Sequence, residues 1–383
     1  MIPVNQPLLE GNEKKYLAEC IDTGWISSEG PFVTRFEEQM AAAVGRRHGI
    51  AVCNGTAALE AAVAALDLQP GDEVVMPAFA IISCAMAVVR CGCVPVLVDS
   101  DPVNWNVDTG KLREKLEQEI GKNGNRRIKA IMAVHIYGLP TDMDPILEMA
   151  DRYGLAIIED AAEMHGQSYK GRPCGSFGAL STFSFYPNKH ITTGEGGMLL
   201  TDDDALAERC RSLRNLCFQG GRRFVHEELG YNFRMSNLQA AVGVAQLERL
   251  EAFVARKRRM GRRYTEGLAG VEGLELMPER TSYAENIYWV YGVVLKDEVP
   301  FDAAAAMSRL AERGIGSRPF FWPMHEQPVF RRMGLFKNQT FPVSERLARR
   351  GFYLPSGLAL SAEQADEVTE AVKRLMKDEG VAK

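Results

Sequence analysis

The chain has 383 residues, of which 46% are hydrophobic and 25% charged, and its formal net charge is −5. This hydrophobic content is enough for a large buried core, and the length predicts more than one domain. A mildly acidic balance lacks the electrostatic footprint of proteins that bind nucleic acid or a membrane surface. We therefore expect neither as a partner.

The N-terminal residues show no charged start followed by an apolar run, so we expect no signal peptide. No apolar stretch approaches the length of about 20 residues that spans a membrane. The eight cysteines form no CxxC pair, and they lie among apolar neighbours. This pattern favours reduced thiols, a cytoplasmic location and the absence of a metal site.

Between about residues 50 and 200, short apolar strands alternate with helical patterns such as 57–66 and 82–89. The predicted strands are 73–76, 94–98, 128–134, 155–158, 180–185 and 198–201. Strands this uniformly apolar are typical of a mainly parallel sheet covered by helices on both faces. Polar residues gather where the strands end, which is the edge at which open α/β sheets bind ligands.

The pattern changes after about residue 245. It predicts helices at 247–268, 302–313 and 364–376, and a strand at 288–295. The basic run at 256–259 falls in the first of these helices, and we interpret it as a solvated helix face. The chain is therefore predicted to form a large α/β domain at residues 1–245 and a smaller α+β domain at residues 246–383.

One lysine, Lys189, lies between the predicted strand at 180–185 and a glycine-rich turn, in the segment FSFYPNKHITTGEGG. Taken alone, such a lysine is more often a solvated cation beside a turn. A second pattern, CNGTAALEAA, opens a helix at Asn54-Gly55-Thr56. Backbone N–H groups at a helix N-terminus, with a hydroxyl beside them, can cradle a phosphate, although this pattern taken alone is more often a plain N-cap by Asn54 or Thr56.

Two further residues complete the pattern. Asp160 ends a buried strand, where a carboxylate needs a partner such as a protonated ring nitrogen, unless it caps the next segment. Ser184 is a common strand residue, but its hydroxyl could donate to the same phosphate. Together with Lys189, these groups suit pyridoxal 5′-phosphate (PLP): the phosphate at the helix, the ring nitrogen at Asp160, and the aldehyde on the lysine.

Nearly end to end, the chain resembles the sugar aminotransferases of the DegT/DnrJ/EryC1/StrS family. The segments CNGTAAL, IIEDAAEMHG, STFSFYPNKHITTGEGGMLLTDD and LGYNFRMSNLQAAVGVAQLERL carry the likeness. It implies an α/β type I PLP-dependent aminotransferase fold and amination of a keto sugar attached to a nucleotide. The likeness is greatest to the branch that forms GDP-perosamine, which implies GDP-4-keto-6-deoxymannose as acceptor and L-glutamate as amino donor for surface polysaccharide such as lipopolysaccharide O-antigen.

The resemblance also implies roles for individual residues. Lys189 matches the lysine that holds the cofactor, Asp160 the aspartate at the ring nitrogen, and Glu163 the position beside the phenolic oxygen. A glutamate at this position is typical of the GDP-perosamine branch, whereas other branches often have glutamine there. The residues that match the phosphate cradle are Gly55, Thr56, Ala57 and Ser184.

Asn232 matches an asparagine that reaches the phosphate from the neighbouring subunit, which implies a homodimer with shared active sites. The residues that match segments of the sugar-nucleotide cleft are Trp25, Ser27, Arg318 and His325. For Trp25 and His325, ordinary packing is an equal alternative. Relatives usually place an aromatic residue near position 81 to stack on the cofactor ring; here Ile81 serves instead, or Phe79 does so through a local shift.

Three alternatives to this function follow from the same likeness. The acceptor could be a UDP- or dTDP-linked keto sugar. A sugar 3-dehydratase of the family would have histidine in place of the lysine, and the pair Lys189-His190 raises that possibility. Counting back from Thr192-Thr193-Gly194 assigns Lys189 to the position. The third alternative is a non-catalytic regulator that keeps PLP, which an intact Lys189 and Asp160 argue against.

Overall fold

The computed structural model describes residues 1–218, 220–222 and 224–381. Its α-helices are α1 Glu13–Thr23, α2 Pro31–Val44, α3 Gly55–Ala65, α4 Ile82–Arg90, α5 Thr109–Leu116, α6 Met143–Tyr153, α7 Asp204–Arg214, α8 Asn237–Leu247, α9 Leu250–Leu268, α10 Ala303–Glu312, α11 Pro328–Arg332, α12 Pro342–Arg350 and α13 Ala362–Asp378. Its strands are β1 His48–Val52, β2 Glu73–Pro77, β3 Val94–Val98, β4 Ile128–Val134, β5 Ala156–Asp160, β6 Ser168–Tyr169, β7 Arg172–Pro173, β8 Leu180–Ser184, β9 Gly197–Thr201, β10 Leu274–Leu276, β11 Tyr291–Leu295, β12 Arg318–Pro319 and β13 Gly351–Leu354.

Seven strands form the central sheet, in the order β1-β9-β8-β5-β4-β2-β3. The pairs β2–β3, β2–β4, β4–β5 and β5–β8 are parallel, whereas β9 is antiparallel to both of its neighbours, β8 and β1. Six strands therefore run in one direction, and their carboxyl ends meet at a single edge. This arrangement confirms the predicted mainly parallel sheet and the type I PLP-dependent aminotransferase fold.

Alternate residues of each central strand point to opposite faces of the sheet, and both faces are covered. On β2, Val74 and Met76 belong to one hydrophobic cluster, while Val75 belongs to the other. Helices α3, α4 and α7 contribute to the first cluster, and α1, α2, α5, α6 and α8 to the second. Burial on both sides explains why these strands are apolar without alternation.

A second sheet, β10-β11-β13-β12, is antiparallel throughout. Helices α10 and α12 pack against it. The N-terminal segment also reaches this part of the molecule: the Ile2 amide donates to Gly314 O at 2.7 Å, and the Ser356 amide donates to Val4 O at 2.9 Å. The first residues of the chain thus lie beside the predicted C-terminal domain, while the domain limits at residues 245 and 246 stay a prediction.

The predicted strands between 73 and 201 are confirmed to within two residues at each end. The predicted strand at 288–295 begins only at Tyr291, since Tyr288 has a φ of 50° and its amide donates to the side chain of Asn286. The predicted helix at 247–268 is confirmed as α9, which begins at Leu250 because α8 ends at Leu247 and a turn at 248–249 separates the two helices. No helix of the described residues has both the length and the apolar character needed to cross a membrane.

Candidate active site

The carboxyl ends of the parallel strands open into a cavity of about 700 Å³. Strands β4, β5 and β8, the first turn of α3 and the β8–β9 connection all contribute to its walls. The residues predicted from sequence that line it are Gly55, Thr56, Ala57, Asp160, Glu163, Ser184 and Lys189. Positions spread over 135 residues of sequence thus meet at one edge of the sheet, as ligand sites do in open α/β folds.

Lys189 lies in the connection between β8 and β9, at residues 185–196. The Phe185 amide donates to Gly196 O at 2.8 Å, and the Thr193 amide donates to Phe185 O at 3.0 Å, so the ends of the loop are held together. Gly197 then passes so close to α3 that a Cβ atom would lie 2.3 Å from Asn54 O. The loop therefore presents Lys189 to the cavity from a fixed base between two paired strands.

The Lys189 ammonium lies in a setting that favours loss of its proton. Burial lowers the pKa of Lys189 below its ordinary value, an effect that the neighbouring acidic groups Glu163, Asp160 and Cys84 oppose. Its Nζ lies 3.9 Å from the centroid of the Trp289 ring. An amine with a lowered pKa is a better nucleophile and proton acceptor near neutral pH than a solvated lysine.

The N-terminus of α3 is capped by Asn54, whose Oδ1 accepts a hydrogen bond from the Ala57 amide at 2.8 Å. The N-cap alternative is therefore correct for Asn54. The amides of Gly55 and Thr56 have no partner within the described part of the chain. A Cβ atom on Gly55 would lie 2.7 Å from Ser184 Cβ, so glycine lets the helix start against the end of β8. The amides of Gly55 and Thr56 and the hydroxyl of Ser184 are thus available to an anion.

Asp160 ends β5 and is buried. Its Oδ1 accepts from the Ala162 amide at 3.1 Å, and its Oδ2 accepts from Cys84 Sγ at 3.3 Å. The carboxylate also raises the pKa of Cys84, although burial of that thiol is the larger cause. Asp160 therefore places a buried carboxylate at the cavity floor, and no cationic side chain of the described residues is paired with it, which suits it to a cationic partner.

Glu163 is buried two residues into the turn that follows β5, and burial raises its pKa to about 8. Nearby Lys189 and the Tyr137 amide oppose this shift. The Tyr137 amide donates to Glu163 Oε2 at 2.6 Å, and Tyr137 has a φ of 57°. A left-handed backbone is costly for a bulky residue. The packing around Tyr137 therefore holds its backbone in this conformation, with the Tyr137 amide directed at Glu163.

One wall of the cavity is aromatic, and sequence reasoning missed its members. They are Tyr186, Phe233, Trp289, Phe321 and Tyr353. Of these five, only Trp289 belongs to the aromatic run IYWVY at residues 287–291, whose pattern predicts a strand and not a cavity wall. Ile81 lines the cavity and is 42% exposed, whereas Phe79 is fully buried against Tyr137, Phe320 and Phe321. Of the two residues considered for stacking, Ile81 is the one that faces the cavity.

The other predicted residues do not line this cavity. Trp25 and Ser27 are exposed on the loop between α1 and α2. Buried Asn237 organises that loop: its Nδ2 donates to Trp25 O at 2.7 Å, and its amide donates to Ser27 O at 2.6 Å. Their backbones are thus fixed, while their side chains face outward.

Asn232 and Arg318 are also exposed. Arg318 pairs in register with the cavity residue Tyr353, which places it near the mouth. His325 is buried; its Nε2 lies 2.9 Å from Glu345 Oε1 and its ring packs against Phe341. This environment fits the packing alternative for His325. The substrate and cross-subunit roles of these residues stay predictions.

His190 points away from the cavity, although it follows Lys189 in sequence. It is fully buried, and its Nε2 donates to Ile287 O at 3.1 Å. Burial lowers the pKa of His190 well below its ordinary value, so the ring is neutral. The position that faces the cavity is occupied by a lysine, as the register of the sequence predicted.

The chemistry of this cavity fits pyridoxal phosphate. The amides at the start of α3, which have no partner among the described residues, suit a phosphate together with Ser184. The carboxylate of Asp160 suits a protonated ring nitrogen, and the amine of Lys189 suits an aldehyde. Gly55 allows Ser184 to approach the start of α3, because a Cβ atom at position 55 would lie 3.0 Å from Ser184 Oγ. The donor set therefore matches three different groups of the same cofactor.

Comparison with known proteins gives the same result over the whole chain. The model of the DegT/DnrJ/EryC1/StrS aminotransferase family matches residues 7–373. The chain is 40% identical over 375 residues to GDP-perosamine synthase of Caulobacter vibrioides, covering 98% of both chains, and 38% identical over 373 residues to that of Vibrio cholerae, covering 97% of this chain and 98% of the relative.

Among solved structures, the aminotransferase TlmJ from Streptoalloteichus hindustanus superposes with a TM-score of 0.90 at 30% identity, covering 99% of both chains. Fold, cavity chemistry and family model therefore agree. This chain is a member of the DegT/DnrJ/EryC1/StrS aminotransferase family, whose enzymes are PLP-dependent sugar aminotransferases.

Proposed function

We propose that this enzyme transfers the amino group of L-glutamate to C4 of GDP-4-keto-6-deoxymannose, forming GDP-perosamine and 2-oxoglutarate in the cytoplasm. The observation that carries the proposal is the end-to-end similarity, at 38–40% identity, to GDP-perosamine synthases of two organisms. The glutamate at position 163, typical of that branch, supports it. We assign the product to surface polysaccharide, such as lipopolysaccharide O-antigen.

Lys189 moves the proton in both halves of the reaction. When bound, PLP supplies an electron sink for the negative charge that develops on the reacting carbon. Lys189, whose pKa is lowered by burial, removes the proton from the α-carbon of glutamate. In the second half-reaction it delivers a proton to C4 of the sugar from the same side.

The other cavity residues bind and orient. Asp160 holds a positive charge on the ring nitrogen, which strengthens the electron sink, and the amides of Gly55 and Thr56 with Ser184 hold the phosphate. Burial raises the pKa of Glu163 to about 8, so near neutral pH it carries a proton that it can donate to an oxygen anion beside it. Ile81, which faces the cavity, would support the ring with an aliphatic side chain.

We propose that the active form is a homodimer in which Asn232 completes the phosphate site of the other subunit. Asn232 is exposed in its own chain, and the same loop exposes the apolar side chains of Phe224 and Leu229. Apolar side chains exposed together are typical of surfaces that another chain covers. Two-fold assembly is the commonest way for identical chains to do so.

Mixing inactive variants tests the shared site. Lys189→Ala and Asn232→Asp would each inactivate the enzyme as homodimers. If the sites are shared, a mixed dimer has one site with both defects and one site with neither, so activity returns after subunit exchange. Continued inactivity of mass-verified mixed dimers would place Asn232 outside the partner's site, and an active monomer in light scattering would refute the dimer.

The substrate is tested by supplying L-glutamate with GDP-, UDP- or dTDP-linked 4-keto-6-deoxy sugars and following 2-oxoglutarate and the amino sugar by mass spectrometry. We expect the GDP-linked sugar to give the highest kcat/KM. Preference for a UDP- or dTDP-linked sugar would assign another branch of the family. A deoxygenated product without nitrogen would indicate a 3-dehydratase, and PLP binding without turnover would indicate a regulator.

A further inference from the structure

Trp289 lies directly against the reactive nitrogen of the cavity. The centroid of its ring is 3.9 Å from Lys189 Nζ, and the ring itself lines the cavity. An ammonium over the face of a tryptophan is attracted by the negative charge density of the ring, most strongly where water is excluded. Trp289 therefore offers Lys189 a position that does not require a bond to any cofactor.

Two hydrogen bonds fix this tryptophan. Its Nε1 donates to Asn188 O at 2.8 Å, the carbonyl immediately before Lys189. Its own carbonyl accepts from Lys257 Nζ at 2.7 Å. The ring is thus hydrogen-bonded to the loop that carries Lys189, and the backbone of Trp289 is hydrogen-bonded to a side chain of α9.

Lys257 is buried so deeply that only 2% of it is exposed. Its second hydrogen bond goes to Ser356 O, and no carboxylate pairs with it among the described residues. The expectation of a solvated helix face is therefore wrong for this member of the basic run. Burial of an amine is costly, and burial lowers the pKa of Lys257 to about 7. The hydrogen bond from Lys257 to Trp289 O offers an explanation for why this buried amine is present.

We propose that Trp289 is a catalytic residue that holds the Lys189 amine whenever that amine is not bonded to the cofactor, and that Lys257 is a positioning residue that fixes Trp289. This inference rests on the proposed function, in which Lys189 must leave the cofactor and return in every cycle. A free lysine side chain has many rotamers. The ring restricts them and keeps the nitrogen at the reacting carbon.

Other charged and titratable groups also face Lys189. Glu163, Asp160 and Cys84 raise the pKa of Lys189, and Lys189 in turn lowers the pKa of the buried rings of His165 and His190. Attraction by the carboxylates and attraction by the ring both raise the pKa of Lys189. A series of side chains at position 289 separates them, because it alters the ring and leaves every charge in place.

The first test measures the pKa of Lys189 in cofactor-free protein. The rate of acetylation by acetic anhydride is followed against pH by peptide mass spectrometry, relative to exposed Lys129. Trp289→Met keeps an apolar side chain but removes the ring, and should lower the titration midpoint by about one unit. Trp289→Phe keeps a weaker ring and should fall between. Trp322→Leu, an exposed tryptophan outside the cavity, is the control and should leave the midpoint unchanged.

A midpoint in Trp289→Met equal to or above that of the wild type would overturn the proposal. Circular dichroism checks that each variant is folded. If Trp289→Met does not fold, the comparison of wild type with Trp289→Phe replaces it, since phenylalanine fills most of the same space. A Lys189 midpoint in Trp289→Phe equal to or above that of the wild type would then overturn the proposal.

The second test asks whether Lys257 affects the titration midpoint of Lys189 through Trp289. Lys257→Met should lower the Lys189 midpoint by less than Trp289→Met does, because the ring remains but is no longer fixed. In the double variant the midpoint should equal that of Trp289→Met alone, as expected when one residue acts through the other. Arg259→Met, exposed on the same helix, is the control.

Additive shifts in the double variant would show that Lys257 acts by another route and would overturn its positioning role. A raised midpoint in Lys257→Met would do the same, since it would indicate repulsion between two ammonium groups. These titrations need no bound PLP. They therefore give an answer even if the sugar assays fail, whereas a wild-type protein that does not bind PLP would refute the proposed function alone.

Discussion

The floor of the cavity and the exposed segments around it are built differently. Asp160, Ser184 and Lys189 lie at the ends of paired strands or in a loop tied between them. Trp25 and Arg318 lie on the surface, and Arg318 donates only to its neighbour Ser317 O within the described chain. The first region is arranged by the sheet, whereas the second lies exposed outside the cavity.

This difference separates two kinds of function. A cofactor that stays bound needs groups that are already in place, because reorganisation in each cycle would slow the reaction. A large sugar nucleotide must enter and leave, so exposed side chains on loops suit its recognition. We therefore expect changes at the floor to reduce turnover and changes at the exposed segments to weaken substrate binding.

The largest effect is expected for Lys189→Ala. Loss of the amine removes both the covalent attachment of PLP and the proton transfer, so turnover should fall by at least about 10³-fold. Borohydride reduction and peptide mass spectrometry should find PLP on Lys189 of the wild type and on no residue of the variant. Lys170→Ala, an exposed lysine paired with Asp144, is the control. Near-normal transamination by Lys189→Ala would contradict the assignment.

Asp160→Asn should follow, with turnover lower by about 10²-fold. The amide preserves shape but cannot hold the ring nitrogen in its charged form, so proton removal slows more than PLP binding weakens. Stopped-flow absorbance with glutamate and titration with PLP measure the two quantities. Asp144→Asn is a surface control. Equal turnover in Asp160→Asn and wild type would show that Asp160 only caps the turn after β5.

Arg318→Ala tests the role of the exposed segments outside the cavity. A guanidinium can bind a diphosphate through two hydrogen bonds, and its loss should raise the KM for the sugar nucleotide about ten-fold. The half-reaction with glutamate should change by less than about two-fold, because that donor has no diphosphate. Exposed Arg374→Ala is the control. Equal damage to both half-reactions would assign Arg318 to the cofactor or to the scaffold.

The last prediction concerns the stability of the cofactor-free protein and not its activity. Burial raises the pKa of Glu163 to about 8, so between about pH 5 and that value the folded chain holds a proton that the unfolded chain has released. The free energy of unfolding therefore falls as pH rises, by at most about 1.4 kcal/mol per unit from this group. Glu163→Gln removes this contribution. The free energy of unfolding of the variant, relative to that of the wild type, should therefore rise from pH 5 to about pH 8.

Urea denaturation at intervals from pH 5 to pH 9 measures this difference, which should level off above the pKa of Glu163. Glu195→Gln, an exposed glutamate of the same cavity, is the matched control and should follow the wild type. Parallel curves for Glu163→Gln and wild type would show that Glu163 is ionised in the folded chain.

The sequence predicted the cavity floor well because strand ends are local signals. An apolar run that stops at Asp160 or before Lys189 marks both a buried strand and a polar edge, and parallel strands bring such ends together. The aromatic wall gave no such signal. Trp289 and Tyr353 belong to segments that are distant in sequence, and Trp289 belongs to a run interpreted as a strand, so only their packing brought them to the cavity.

By itself, the sequence predicted the family, the mainly parallel sheet and the cofactor, and its register assigned the cavity position to Lys189 and not to His190. Only the tertiary structure decided that Ile81 faces the cavity, that Lys257 is buried against Trp289 O, and that His325 is turned toward Glu345. Periodicity reports which residues are apolar and where an element ends. The direction of a side chain and its partner depend on contacts between segments far apart in sequence, which no local pattern encodes.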